Sequence, residues 1–260
     1  MSETVSIVVL TYNNDDIIAR FIQSVQWAYE LVVVDSGSTD NTVAVASDNH
    51  PNCKVLVRRL DNFAAQRNFG IDHASGDWVM HCDSDHIVPQ RLAEEIQAVA
   101  AQAPSPYQVY NVFQYLYWRS QVLTHASGPF GTNGFLHRRG LARFEGQIHE
   151  KLVTDHPVGM LKNRMVHVTH KSLNDILRQC ISYSDREVEA ALAGERLIHG
   201  GRMNIFWRPI RRLISSFVLK GAYRDGIPGM AWAVIIAFRS FLVQLKYWIK
   251  QQHSWGDYEG

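Results

Sequence analysis

Hydrophobic positions along the first hundred residues follow two periods. Val5-Ser6-Ile7-Val8-Val9-Leu10 and Leu31-Val32-Val33-Val34 are nearly unbroken β-branched runs, as expected of strands covered on both faces in a parallel sheet. Between them, Asp15 to Ala28 places Ile17, Ile18, Phe21, Ile22 and Val25 at helical spacing. Strand, helix, strand and a Gly/Ser/Asp turn predict one βαβ unit. Cys53 to Val57 reads as a third strand, Asn62 to Ala74 as a helix and Trp78 to Cys82 as a fourth strand. Tyr107 to Trp118 alternates as a further strand whose aromatic residues belong in the core. The expected fold class is α/β.

Polar residues collect where the predicted strands end: Thr11-Tyr12-Asn13, Asp35-Ser36-Gly37-Ser38-Thr39-Asp40 and Asp83-Ser84-Asp85. In an open α/β sheet such loops meet in one crevice at the carboxyl edge, where ligands bind. The fingerprint G-x-G-x-x-G is absent, which argues against a dinucleotide cofactor. Asp83 and Asp85 would repel each other unless a cation lay between them. Mg²⁺ or Mn²⁺ accepts such oxygens and keeps positions free for phosphate. Alone, the Asp pair also reads as a solvated turn, and Ser36 to Asp40 as a helix cap. His81, Cys82 and His86 surround the carboxylates but lack the paired-ligand spacing of structural zinc.

Thr11-Tyr12-Asn13, Val34-Asp35-Ser36-Gly37-Ser38-Thr39-Asp40, Ala65-Gln66-Arg67-Asn68 and Asp83-Ser84-Asp85 resemble, in order and spacing, the inverting glycosyltransferases of family 2. Glu145-Gly146-Gln147-Ile148-His149-Glu150 and His167-Val168-Thr169-His170 look like the lipopolysaccharide core glucosyltransferase branch. So do Tyr183-Ser184-Asp185-Arg186-Glu187 and Asp225-Gly226-Ile227-Pro228-Gly229, and the resemblance covers nearly the whole chain. It implies a GT-A fold: a Rossmann-like mixed sheet that binds a nucleotide sugar, flanked by helices, with a C-terminal amphipathic helical extension. It further implies roles for individual residues. Thr11 and Tyr12 would line the base and ribose pocket, with Asn13 and Ser84 beside the nucleotide sugar. Asp35 would accept a hydrogen bond from uracil and Arg67 would contact the nucleotide. Asp83 and Asp85 would face ribose and metal, Asp85 being the more direct ligand. Glu150 aligns with the general base. His149 beside it would orient that base or hold the acceptor, with a structural histidine as the alternative, and His167 matches a family position that would contact acceptor, phosphate or metal. Two positions depart from the family pattern: Asn14, where members often carry an acid, and His86, where they often carry Glu. The second adds a nitrogen near the metal or alters the acceptor pocket.

The implied reaction transfers a hexose, expected to be glucose, from a UDP-sugar to a lipid-anchored saccharide such as the lipopolysaccharide inner core. The ion would neutralise the leaving diphosphate, and a carboxylate would take the acceptor proton. Direct displacement would turn an α-linked donor into a β-linked product. Another lipid-linked or capsular glycan is the alternative acceptor. A sugar nucleotidyltransferase is an alternative of another class, but its glycine-rich, Lys/Arg-bearing loop is not seen at the amino terminus. A non-catalytic membrane-binding module leaves Glu150 without a purpose.

The 260 residues, 46% of them hydrophobic, allow one or two domains. Cys53, Cys82 and Cys180 lack a disulfide framework, and the chain enters a strand directly after Met1-Ser2-Glu3-Thr4. Both features predict a cytoplasmic protein without a signal peptide. The net charge of +1 conceals an uneven distribution. Residues 202–250 hold nine Lys and Arg against one acid, while the first 201 residues are net acidic. In that stretch Ile205, Phe206, Trp207, Ile210, Leu213, Ile214 and Phe217 alternate helically with Arg208, Arg211 and Arg212. After a break at 225–229 comes an apolar run interrupted by Arg239. This predicts a catalytic domain over 1–200 and a basic amphipathic tail over 201–260 at an anionic membrane surface on the cytoplasmic side. Trp207, Trp232 and Trp248 would lie at the interface. Packing on the catalytic domain or on a second copy is the alternative, and no nucleic-acid motif accompanies the basic patch.

Overall fold

A computed structural model describes residues 3–102, 106–127, 130–146, 151–169, 172–194, 198 and 201–252, with backbone only for 130–134. The β-branched runs form β1 (Val5–Thr11) and β2 (Glu30–Asp35), followed by β3 (Cys53–Val57) and β4 (Trp78–Asp83). These four are parallel, in the order β3-β2-β1-β4. Successive residues of each strand face opposite sides, and both sides are covered. Ile7, Val9, Leu31, Val33 and Met80 pack with Phe21, Leu92 and Ile96 on one face. Val8, Val32, Val34 and Val79 pack with Ala64 and Ile71 on the other. Both sets must be apolar, so the sequence reads as continuous rather than alternating.

The connecting helices are α1 (Ile18–Ser24), α2 (Thr42–Asn49), α3 (Phe63–His73) and α4 (Gln90–Ala101). The first is shorter than the expected Asp15 to Ala28, and a turn in which the Asn14 carbonyl accepts the amides of Ile17 at 3.1 Å and Ile18 at 2.9 Å precedes it. The Ser36 to Asp40 turn leads into α2, a helix too short and polar for its period to announce. Gly70 in α3 packs directly on β1: a Cβ there would lie 2.3 Å from Val8 Cγ1.

Beyond β4 the sheet becomes antiparallel. It runs through β5 (His86–Ile87), β6 (Val109–Trp118), β7 (Gln121–Leu123), β8 (Phe130–Arg138) and β11 (Val158–Val168). The order continues β4-β8-β6-β11-β5, with β7 on β6. A separate hairpin joins β9 (Arg143–Glu145) to β10 (Lys151–Val153). This is the expected mixed sheet.

Two compact units result, one of residues 1–115 and 129–168, the other of 116–128 and 169–260. The division differs from the expected boundary at 200/201. The helix α5 (Leu173–Leu192) belongs with α6 (Arg202–Ile214) and α7 (Gly226–Gln252) because its acids meet the basic residues of α7. Arg239 pairs with Glu187, Lys246 with Asp185 at 2.7 Å and Lys250 with Glu189 at 3.9 Å. Among the described residues, Arg239, Lys246 and Lys250 of the tail are therefore answered within this unit. The expected break at 225–229 lies at the start of α7, where Pro228 fits the first turn. Trp232, expected half-buried at an interface, is half-buried and packs against Trp118 at 5.5 Å. Asp225 accepts hydrogen bonds from the amides of His125 and Ala126, each at 2.7 Å. It thereby ties that loop to the beginning of α7.

Candidate active site

The carboxyl ends of β1, β2 and β4 carry the polar loops, and side chains lace these loops together. Asn13, with φ of 49°, donates its amide to Ser38 Oγ at 2.9 Å and accepts from the Thr39 amide at 2.8 Å. Asn tolerates this left-handed backbone better than most residues. Asn14 donates from Nδ2 to Ser84 Oγ at 2.9 Å, and its own amide donates to Thr42 Oγ1 at 2.7 Å. The departure at Asn14 thus gains a donor that reaches the Asp83-Ser84-Asp85 loop. Thr11 is buried, while Tyr12 is 56% exposed, its ring free at the crevice edge.

Asp35 is buried, and its Oδ2 accepts the amides of Gly37 at 2.9 Å and Ser38 at 2.8 Å. Its Oδ1 accepts from Ser38 Oγ and retains a second lone-pair direction. The carboxylate therefore holds the turn in shape whatever else it contacts.

Arg67 projects from α3 and donates to Asp83 Oδ1 at 2.9 Å while lying over the ring of Phe144. Burial alone would raise the Asp83 pKa, but Arg67 and then His86 hold it at about 2. Asp83 is thus a fixed anion committed on one oxygen to Arg67. Asp85 keeps different company. Its Oδ2 lies 3.4 Å from His167 Nε2, and its Oδ1 is buried with no hydrogen-bond partner among the described residues. One ligand atom each from Asp85, His86 and His167 lies within 4.8 Å of the others. Antiparallel pairing of His86 with His167 across β5 and β11 creates this meeting. Residues 81 positions apart are joined only by the sheet.

Asn68 follows Arg67 in sequence, and sequence reasoning assigned it no part. Its side chain donates to the Phe144 carbonyl at 2.8 Å and accepts from the Phe144 amide at 2.9 Å. Its position beside Arg67 in the motif was the available signal. Behind this layer, His81 and His137 meet nitrogen to nitrogen at 2.8 Å, and His81 meets the Phe144 ring edge-on. The expected base Glu150 and its neighbour His149 lie outside the described residues. The flanking strands β9 and β10 pair Glu145 with Lys151.

Comparison with known proteins agrees with this architecture. The profile of Glycosyl transferase family 2 matches residues 6–156, more than half of the chain. An uncharacterized glycosyltransferase of Rickettsia conorii is 23% identical over 257 residues, covering 93% of this chain and 89% of the relative. The lipopolysaccharide core biosynthesis glycosyltransferase LpsC of Rhizobium meliloti is 23% identical over 256 residues, covering 95% and 92%. Among solved structures, the mannosyltransferase PcManGT of Pyrobaculum calidifontis, in complex with GDP-Man and Mn²⁺, is similar with a TM-score of 0.51 at 14% identity. It covers 96% of this chain and 88% of that one. With three polar loops at one sheet edge, a carboxylate–histidine cluster beside them and a family profile matching more than half of its length, the chain belongs to glycosyl transferase family 2, as a glycosyltransferase of GT-A fold.

Proposed function

We propose that this enzyme transfers a hexose from a UDP-sugar, with a divalent ion, to a lipid-linked saccharide, inverting the anomeric centre. The observation that carries the reading is the orphaned, buried Asp85 Oδ1 beside His167 at the carboxyl end of β4. A buried anionic oxygen without a partner suits a cation. One carboxylate and one imidazole fit Mn²⁺ or Mg²⁺ whose remaining positions take phosphate oxygens and water. Asp85 and His167 would hold the ion, which when bound neutralises the diphosphate leaving group as a Lewis acid. Arg67 keeps Asp83 ionised and turned toward the crevice, Tyr12 offers an exposed ring to a base, and Asp35 keeps its turn closed against the nucleotide. Glu150 is proposed to take the proton of the acceptor hydroxyl.

Relatedness to LpsC supports a lipopolysaccharide core acceptor. The second unit supports work at a membrane surface. On α6, Met203, Phe206, Trp207, Ile210 and Ile214 are exposed, interleaved with Arg208, Arg211 and Arg212. Within residues 222–252 an 18-residue stretch reaches a mean hydropathy of 1.7, and the helix is long and apolar enough to cross a membrane by length and composition. The pairing of Arg239, Lys246 and Lys250 with α5 argues for lying on the surface instead, since crossing would carry α5 carboxylates into hydrocarbon. The experiment is a donor panel with Mn²⁺ and a lipid-linked core oligosaccharide, followed by nucleoside diphosphate release and by the anomeric configuration of the product. UDP release with a β-linked product is the expected result. GDP release alone would reject the uracil assignment, and retention would reject direct displacement.

A further inference from the structure

We propose that His86 binds the donor rather than the metal, its Nε2–H donating a hydrogen bond to a phosphate oxygen of the nucleotide. This rests on the nucleotide-sugar reading above and deepens it. The Asp83 amide donates to His86 Nδ1 at 3.0 Å. That bond requires a lone pair on Nδ1, so a neutral ring carries its single proton on Nε2. The ring is buried. A metal ligand needs a lone pair on the ligating nitrogen. Nδ1 has given its lone pair to the amide, and Nε2 holds a proton. Ligation would therefore demand an imidazolate, or would strip the Asp83 amide of its acceptor at the end of β4.

Proximity of Asp85, His86 and His167 suggests three ligands; the tautomer leaves two. The Nε2–H is itself buried and has no acceptor among the described residues. Asp83 Oδ2 stands 3.9 Å away, beyond hydrogen-bond range, and Asp83 Oδ1 is held by Arg67. An orphaned buried donor calls for an acceptor that arrives with the ligand, and an anionic oxygen is the strongest such acceptor. Phosphate supplies that oxygen in a site whose carboxylates require a cation alongside it. With His86 excluded, the protein gives the ion one carboxylate and one imidazole, a set that suits Mn²⁺ or Mg²⁺ better than a nitrogen-rich zinc site.

The test uses the full chain. His86→Asn places an amide oxygen near the Nδ1 position, keeping an acceptor for the Asp83 amide, and removes the Nε2 donor. Mn²⁺ affinity without nucleotide, read by electron paramagnetic resonance, should stay within about twofold of the unaltered protein. UDP affinity at saturating Mn²⁺, read by calorimetry, should fall on the order of tenfold. His86→Gln, whose amide nitrogen reaches toward the Nε2 position, should recover part of that loss. Long-range ¹H–¹⁵N spectra of the unaltered protein should report a neutral ring protonated at Nε2. A loss of Mn²⁺ affinity as large as that of His167→Ala, an Nδ1–H tautomer, or unchanged UDP affinity in a folded His86→Asn would each overturn the assignment. If the unaltered protein binds another nucleotide but not UDP, the donor reading fails. The tautomer and Mn²⁺ readouts then still decide the role of His86.

Discussion

Asn68 grips the backbone of Phe144 at two points, donating to its carbonyl at 2.8 Å and accepting from its amide at 2.9 Å. The clamp moors β9 to α3 one residue from Arg67, whose guanidinium lies over the Phe144 ring. Asn68→Ala would leave two backbone groups without partners, at a cost of about 1–3 kcal/mol. Denaturant melting should show that loss, and Asn68→Asp, which keeps only the acceptor, should fall between. Unchanged stability in Asn68→Ala would mean water or a neighbouring group replaces the clamp.

Metal removal separates Asp85 from Asp83. Chelator should abolish transfer, and either Mn²⁺ or Mg²⁺ should restore it. Asp85→Asn should reduce Mn²⁺ affinity and lower turnover on the order of 10³, since several kcal/mol of charge stabilisation depends on the ion. Asp83→Asn, by losing the partner of Arg67, should affect nucleotide affinity more than Mn²⁺ affinity in calorimetry. Full activity in chelator would remove the metal from the reaction.

For Glu150 the expected pattern is a split between binding and rate. Glu150→Gln should bind UDP like the unaltered enzyme and lose on the order of 10²–10⁴ in kcat. Turnover at the original rate would move the proton acceptor to another group.

Buried imidazoles give the fold an acid-sensitive window. Burial lowers the pKa of His81, with His137 adding to the effect, and burial likewise lowers those of His137 and His86. Each group takes a proton more readily when unfolded, near its ordinary value of about 6.5. Their stabilisation is therefore complete above about pH 6.5 and is lost as the pH falls below it. The slope is about 1.4 kcal/mol per pH unit for each proton taken up only by the unfolded chain. Thermal melts from pH 7.5 to 5.5 should decline across a range where Asp83, held at about 2, contributes nothing. His137→Gln should make the decline shallower, and a flat profile would contradict the buried neutral pair.

The second unit should recognise charge on a surface. Vesicle flotation should recover the protein with anionic liposomes, less so as salt rises. Replacing Arg208, Arg211 and Arg212 by Ala should weaken binding roughly fivefold per arginine, without loss of UDP affinity. Salt-resistant retention by neutral vesicles would favour a spanning helix, and a dimer in solution that ignores vesicles would favour a second copy on this face.

The parallel half was legible because each β-branched run must be apolar on both sides, and a polar loop at its carboxyl end has one place to go. Thr11, Asp35 and Asp83 could be assigned to one crevice from the chain alone. Arg67 was marked only by the resemblance of Ala65-Gln66-Arg67-Asn68 to a family motif, not by any periodicity of α3. Sequence could not give the meeting of Asp85 with His167, which depends on how β11 returns beside β5 after an excursion of many residues. The clamp from Asn68 to Phe144 and the His81–His137 pair were hidden for the same reason, being side-chain contacts made across the sheet or between separate elements. Charge in the tail showed the same limit. Composition counted nine cations between 202 and 250, and only the packing of α5 on α7 showed, among the described residues, that Arg239, Lys246 and Lys250 are paired. Periodicity records which side of an element is apolar; which partner meets that side is fixed by long-range packing, and the chemistry of the cluster around Asp85 arises there.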